Sequence, residues 1–278
     1  MELVEKIGLG TVQFGVNYGI SNTHGKTTET EVGNILEIAK RNGVKFLDTA
    51  SGYGNAEEVL GNFDLSSFKI VSKFLPFNEE LALTDILSGS LKKLGVKKLY
   101  GYLAHRPLSL LNSNYWSELQ NLKENNFIEK IGFSLNTVEE LDLLLEQGIV
   151  PDIVQVPFNY FDARFEQSIK KLKKEGCEIH TRSTFLQGLF FINVNDLSPY
   201  FDEVKPYLIK LHNKEKNVEA FLLNYVANID FIDQIIIGVQ NAEQLADNIN
   251  NLSIEKDRPK FSGSISENIL MPSKWPPK

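Results

Sequence analysis

Asp48-Thr49-Ala50-Ser51-Gly52-Tyr53 closes an apolar run that begins at Val44; two later runs end on Val71-Ser72-Lys73 and Leu103-Ala104-His105. Short runs rich in Ile, Val, Leu and Phe read as buried strands when longer segments of helical period separate them. The candidate strands are Lys6 to Thr11, Val44 to Asp48, Phe68 to Lys73, Leu99 to Ala104, Ile128 to Ser134, Asp152 to Val156, Cys177 to Arg182 and Gln234 to Ile237. Between them, segments such as Glu31 to Arg41, Thr84 to Leu94, Val138 to Gln147 and Arg164 to Glu175 repeat apolar residues at intervals of three and four. Strict alternation predicts parallel pairing with right-handed crossovers, and eight such units close into a (β/α)8 TIM barrel. No linker breaks the pattern, so residues 1–278 are expected to form a single α/β barrel domain. The longer polar stretches, Asn17 to Thr28 and Phe190 to Pro206, fall where loops shape the C-terminal face, and Asp257 to Lys278 forms a tail.

Composition narrows the function classes. The chain has 278 residues, 42% hydrophobic and 23% charged, with a net charge of −7. No stretch concentrates Lys or Arg with aromatics, which argues against a nucleic-acid partner. The first residues lack a basic and apolar leader, and no run reaches the ~20 apolar residues that span a bilayer, so a cytoplasmic protein without a membrane partner is expected. A lone cysteine, Cys177, leaves no internal disulfide and reads as a core residue. His24, His180 and His212 show no ligand spacing with Cys, Asp or Glu, so no metal is expected.

In a barrel of this kind, functional residues sit at the C-terminal ends of strands. Asp48, Lys73 and His105 fall at or just after three successive strand ends, and Tyr53 lies on the loop after the second strand. A tyrosine, with an ordinary pKa of about 10, is a poor acid at neutral pH unless something stabilises its phenolate. A lysine ammonium does so, and a carboxylate keeps that lysine charged and oriented. A histidine beside them can position a carbonyl oxygen. The set suits protonation of an oxygen as hydride reaches the attached carbon, which requires a hydride-carrying cofactor. Singly, each residue reads as a turn, loop or surface group; together at successive strand ends they do not.

Asp-Thr-Ala-x-x-Tyr, followed by Gly54-Asn55-Ala56-Glu57 and Val59-Leu60-Gly61, then Ser72-Lys73 and His105, closely resembles the aldo/keto reductases. The resemblance extends over Gly8-Leu9-Gly10-Thr11, Phe14-Gly15, Ile131-Gly132-Phe133-Ser134, Gln155, Gln187-Gly188 and Gly238 to Asn248. It implies Tyr53 as proton donor, Lys73 and Asp48 as its activating pair, His105 as the residue orienting the carbonyl, and a small-molecule aldehyde or ketone as substrate. The implied cofactor is NADPH, with NADH as the alternative. By the resemblance, Ser134 and Gln155 hold the nicotinamide carboxamide, Asp48 approaches its ribose, and Thr11 and Ser183 add contacts. Arg182 replaces a stacking aromatic, and Gly238, Gln240, Gln244 and Asn248 wrap the adenine end. Two departures stand out. Ser134 is followed by Leu135 where the family places Asn, so one amide contact is missing or comes from Asn136. No Lys or Arg lies in 238–248, where the family commonly binds a 2′-phosphate. The hairpin that often plugs the barrel floor is short or absent.

Only five arginines occur, and Arg106, Arg164 and Arg182 all fall on the expected catalytic face, which suits an anionic substrate. Aromatics expected at the same mouth are Phe14, Tyr18, Phe74, Phe77, Phe158, Tyr160, Phe161 and Phe185, with Tyr18, Phe74, Phe158 and Phe185 joining Arg106 as substrate residues. The run Arg182 to Leu189 resembles family members of surface-polysaccharide synthesis, implying a carbohydrate substrate. Two rivals stand beside the reductase: a cofactor-binding regulatory subunit of the same fold with little catalytic activity, and a barrel hydrolase. Gly8-x-Gly10-x-x-Gln13 lacks the third glycine of a dinucleotide fingerprint. Glu57 and Glu58 read as the acidic opening of a helix rather than a hydrolytic pair.

Overall fold

A computed structural model describes residues 2–76, 82–254 and 259–276. Eight parallel strands close a barrel in sequence order: β1 (Ile7–Gly10), β2 (Phe46–Asp48), β3 (Lys69–Phe74), β4 (Leu99–Ala104), β5 (Ile128–Ser134), β6 (Ile153–Pro157), β7 (Glu178–Arg182) and β8 (Gln234–Gly238). The sequence-derived strands match in number and order and differ by at most two residues at any end. The helices are α1 (Val12–Gly15), α2 (Glu29–Arg41), α3 (Ala56–Leu60), α4 (Leu83–Leu94), α5 (Tyr115–Glu124), α6 (Val138–Glu146), α7 (Glu166–Lys174), α8 (Lys205–Lys214), α9 (Val218–Ala227), α10 (Ala242–Asn250) and α11 (Glu267–Leu270). Their starts are written locally. Thr28 caps α2 by accepting from the Glu31 amide, Asn241 caps α10 through the Gln244 amide, and Thr137 and Glu140 close a reciprocal capping box on α6.

Side-chain alternation divides the core in two. Phe46, Val71, Leu103 and Ile153 fill the barrel interior, while Leu47, Ile70, Phe133, Val154 and Ile235 belong to the larger cluster that includes apolar helix residues such as Ile35, Leu119 and Ile169. The same alternation turns Lys73 inward and Phe74 outward. Phe74 is fully buried against Tyr102 and Tyr115, at centroid distances of 5.2 and 5.6 Å. A separate cluster joins Leu186, Phe190, Phe201 and Leu208 to Phe161 and, from the tail, Ile265 and Ile269. Each such fully buried side chain contributes about 1.5–3 kcal/mol, so the tail is anchored beside the loop after β7. Phe77 and the ends of the tail lie outside the described residues.

The barrel floor is polar. Glu178, at the start of β7, accepts from Tyr100 Oη at 2.7 Å, from Lys130 Nζ and, at 2.7 Å, pairs with His180 Nε2. Phe46 meets Tyr100 and His180 edge-on. A four-residue 3-10 helix, Leu3–Lys6, precedes β1, and Lys6 Nζ donates to the Ala227 and Ile229 carbonyls at the end of α9 at 3.0 and 2.7 Å. Glu57 and Glu58 open α3 as expected, and Glu57 is 3% exposed and accepts from Ser72 Oγ at 2.7 Å. Among the described residues no cluster of His, Cys, Asp and Glu could hold a metal ion, and no helix is long and apolar enough to cross a membrane.

Candidate active site

Asp48 ends β2, and register places it beside Val71, two residues before Lys73 on β3. Both face inward, so the two charges meet at the mouth. Lys73 Nζ donates to Asp48 Oδ1 at 2.6 Å, to the Thr49 carbonyl at 2.9 Å and to Tyr53 Oη at 3.4 Å. Burial alone would lower the Lys73 pKa, but the Asp48 carboxylate and Tyr53 outweigh it and hold it above the ordinary value. The chain after β2 stays paired to β3, with the Thr49 amide on Val71 O and the Ser51 amide on Lys73 O, each at 2.9 Å. This pairing delivers Tyr53 over the barrel. Close packing against α1 fixes it there: a Cβ on Gly15 would sit 1.7 Å from the Tyr53 carbonyl, and Gly54 has φ 58° with the Gly15 carbonyl 2.6 Å from its own would-be Cβ.

His105 follows β4, its amide bonded to Phe74 O at 2.9 Å, its ring edge-on to Tyr53 with centroids 5.7 Å apart. Burial, with the Lys73, Arg182 and Arg106 charges, pushes its pKa down to about 3, so the imidazole is neutral at physiological pH. Its Nδ1 is buried with no hydrogen-bond partner.

Gln155 is fully buried between two of these groups: its Nε2 donates to Asp48 Oδ2 at 2.7 Å and its Oε1 accepts from Ser134 Oγ at 3.2 Å. It therefore orients the carboxylate that holds Lys73. Thr11 Oγ1 donates to the Asp48 carbonyl at 3.0 Å. Arg182, ending β7, donates through Nη2 to Leu135 O and Asn136 Oδ1, both at 2.8 Å. Asn136 is thus the partner that Leu135 cannot be, but its amide serves the arginine. Ser183 has φ 64°, held by Asn159 Nδ2 donating to its carbonyl at 3.0 Å. A non-glycine in this conformation is costly, and such strain gathers at functional sites.

A cavity of about 610 Å³ opens beside Asp48 and Tyr53. Thr11, Arg182, Ser183, Gly238, Gln240 and Gln244 line it, as do Tyr18 and Phe185. Phe74 and Phe158 do not; both are fully buried in the large core cluster, which corrects their expected place in the substrate pocket. Phe14 is core as well, and Tyr160 and Phe161 pack against Phe261. Arg164 is neutralised by Asp162 at 2.9 Å and Glu267 at 2.7 Å. Arg106 is exposed beside His105, outside the cavity lining. Residues that sequence reasoning missed include Gln13, Ser21, Thr184 and Glu219, all on the cavity wall. Gln13 and Thr184 follow the strand-end stretches at β1 and β7, whereas Ser21 and Glu219 reach the cavity by loop and helix placement.

The wall fits a dinucleotide. Gln13 Oε1 and Thr184 Oγ1 on this wall are buried without partners, the kind of polar atom a ligand satisfies. Gly238 leaves the wall bare where a Cβ would stand 2.7 Å from the Gln13 amide. The volume is that of a cofactor pocket, about 300–1,000 Å³.

The aldo/keto reductase family model matches residues 6–263. The chain belongs to the aldo/keto reductase family. Curated relatives include the uncharacterized oxidoreductase YtbE of Bacillus subtilis, 28% identical over 172 residues (57% of this chain, 60% of the relative). Another is the NAD/NADP-dependent indole-3-acetaldehyde reductase of Schizosaccharomyces pombe, 28% identical over 167 residues (56% of each). The match thus spans little more than half the length of these relatives. Solved structures of the same fold include PA4992 of Pseudomonas aeruginosa, with TM-score 0.68, 24% identity and 88% of each chain covered. The aldo-keto reductase AKR11C1 of Bacillus halodurans, in its holo form, superposes with TM-score 0.69 and 18% identity over 88% of this chain and 86% of its own.

Proposed function

We propose that this protein is an NAD(P)H-dependent reductase that converts an aldehyde or ketone to an alcohol, with Tyr53 as proton donor. The observation that carries this is the placement of Lys73 Nζ between Asp48 Oδ1 at 2.6 Å and Tyr53 Oη at 3.4 Å, at the mouth of a cavity. The nicotinamide cofactor, when bound, supplies the hydride. Tyr53 gives its hydroxyl proton to the carbonyl oxygen, and the Lys73 ammonium stabilises the phenolate left behind. Asp48, held by Gln155, keeps Lys73 charged at a site where burial opposes charge. Neutral His105 orients the carbonyl oxygen by donating a hydrogen bond and does not compete as an acid. Thr11, Arg182, Ser183, Gly238, Gln240, Gln244 and Asn248 would hold the cofactor, with Ser134 acting through Gln155.

The substrate reading is an anionic carbonyl compound, a sugar phosphate among them. Of the three arginines on this face, Arg164 is neutralised and Arg182 is tied to the barrel, which leaves Arg106 without a carboxylate partner among the described residues and next to His105. The decisive experiment titrates NADH and NADPH by fluorescence and then measures turnover of a carbonyl panel by wild type and Tyr53→Phe. Binding with turnover that collapses in the variant supports the reductase. Binding without turnover of any carbonyl favours the regulatory subunit, and no binding overturns the assignment. Arg106→Ala should raise KM for carboxylate- or phosphate-bearing aldehydes and leave neutral aldehydes unchanged; an equal effect on both would remove the anionic substrate.

A further inference from the structure

Away from Asp48 and Lys73, the cavity is bounded by the loop after β8 and the first turns of α9 and α10, through Gln240, Glu219 and Gln244. Asn248, one turn further along α10, is 2% exposed, and its Oδ1 is buried without a hydrogen-bond partner. Glu219 lines the cavity, and its carboxylate can only accept hydrogen bonds. Gln244 is turned back on its own loop, its Oε1 accepting from the Gln240 amide at 2.8 Å.

The charges around this end are acidic. Burial and, less, the Asp247 charge raise the Glu219 pKa against the lowering effect of the neighbouring Asn248 amide. Among the described residues no lysine lines the cavity, and its one arginine, Arg182, is held at the barrel by Leu135 and Asn136. His24, bonded through Nδ1 to Gln240 Oε1 at 3.2 Å, is the other lining group able to carry positive charge.

Dinucleotide sites discriminate by charge at the adenosine ribose: a carboxylate accepts from the ribose hydroxyls of NAD, whereas an arginine meets the 2′-phosphate of NADP. That phosphate adds roughly −1.5 to −2 of charge. We propose, building on the reductase reading above, that Glu219 selects NADH over NADPH by accepting from the ribose diol and repelling a 2′-phosphate. This goes further than the segment 238–248, where the missing Lys and Arg remove an attraction but supply no discrimination. Glu219 supplies it from a helix that precedes β8.

The test is a binding titration without carbonyl substrate, with NADH and NADPH, on wild type, Glu219→Gln and Glu219→Lys, each checked for an intact thermal melt. Wild type should bind NADH about tenfold tighter than NADPH or better, roughly the ratio one close charge can supply. Glu219→Gln, which removes the charge at nearly the same size, should narrow the ratio, and Glu219→Lys should reverse it. Equal or tighter binding of NADPH by wild type, or a ratio that neither substitution moves, overturns the proposal and leaves the reductase reading standing. Failure of wild type to bind either cofactor overturns both.

Discussion

At the mouth of the barrel a carboxylate, a lysine, a tyrosine and a histidine meet as Asp48, Lys73, Tyr53 and His105; at its floor the same four types meet as Glu178, Lys130, Tyr100 and His180. The difference is which group stands in the middle. At the floor the carboxylate does: Glu178 accepts from Tyr100 Oη at 2.7 Å, so burial and the neighbouring negative charge push that phenol up to about 12. At the mouth the lysine does, and the charge nearest Tyr53 is positive. A phenol that donates to a carboxylate keeps its proton; one beside an ammonium can release it. The same four kinds of group therefore make a structural clasp in one place and, in the proposed function, a proton donor in the other.

The strongest way to break this contrast is to remove each hydroxyl. Tyr53→Phe should lower kcat by roughly 10²- to 10⁴-fold, the usual worth of a positioned acid, with an unchanged melting temperature and unchanged cofactor affinity. Steady-state turnover on an accepted carbonyl compound, followed with a thermal melt, checks it. A variant that retained most of its kcat would show that the lysine-centred arrangement does not activate the phenol.

The second test compares the lysines. Lys73→Met leaves Asp48 buried with only the Gln155 amide and nearby dipoles, and removing one partner of a buried pair costs about 3–5 kcal/mol. Lys130→Met should cost clearly less, because Glu178 retains Tyr100 and His180 and the Lys130 side chain is 33% exposed. Denaturant unfolding of both variants measures the pair. Equal losses would mean that the mouth is no more dependent on its lysine than the floor.

Much of this contrast was legible in sequence, and the illegible part has identifiable causes. Strands buried on both faces read as continuous apolar runs, so all eight emerged, and the barrel then fixed Asp48, Lys73 and His105 at strand ends on one face. Alternation within a strand was the missed signal for Phe74: an inward Lys73 requires an outward neighbour. Arg164 was only half readable for another reason: Asp162 stands two residues before it, but its second partner, Glu267, lies 103 residues away and reaches it through the tail. The floor escaped attention because Tyr100, Lys130 and Glu178 sit near strand starts, where no motif marks them. Their clustering is a consequence of barrel closure alone.

The third test uses acid. Burial would raise the Glu178 pKa, but hydrogen bonds and charge from His180, Lys130 and Tyr100 overcome it and hold the carboxyl at about 2, below its ordinary 4.5. The unfolded chain then takes up the proton first as pH falls. Stability from this group is complete above pH 4.5 and is lost as pH drops toward 2, by about 3 kcal/mol in total. Denaturant midpoints recorded from pH 6 down to 2 should fall less steeply for Glu178→Gln than for wild type. Parallel curves would place the acid-sensitive groups elsewhere and weaken the picture of a carboxylate-centred floor.

The smallest effect is the most discriminating for the comparison itself. Tyr100→Phe removes one hydrogen bond to a carboxylate that keeps two other donors, and such a bond contributes about 1–2 kcal/mol. Turnover should be unchanged, because Tyr100 faces Phe46 and Glu178 at the floor and does not line the cavity. Measured beside Tyr53→Phe, it asks whether the same deleted atom costs stability at one end of the barrel and rate at the other. A loss of kcat in Tyr100→Phe comparable to that of Tyr53→Phe would mean the floor tunes the mouth through the barrel interior, along Phe46, Val71 and Leu103, and the two clusters would have to be treated as one.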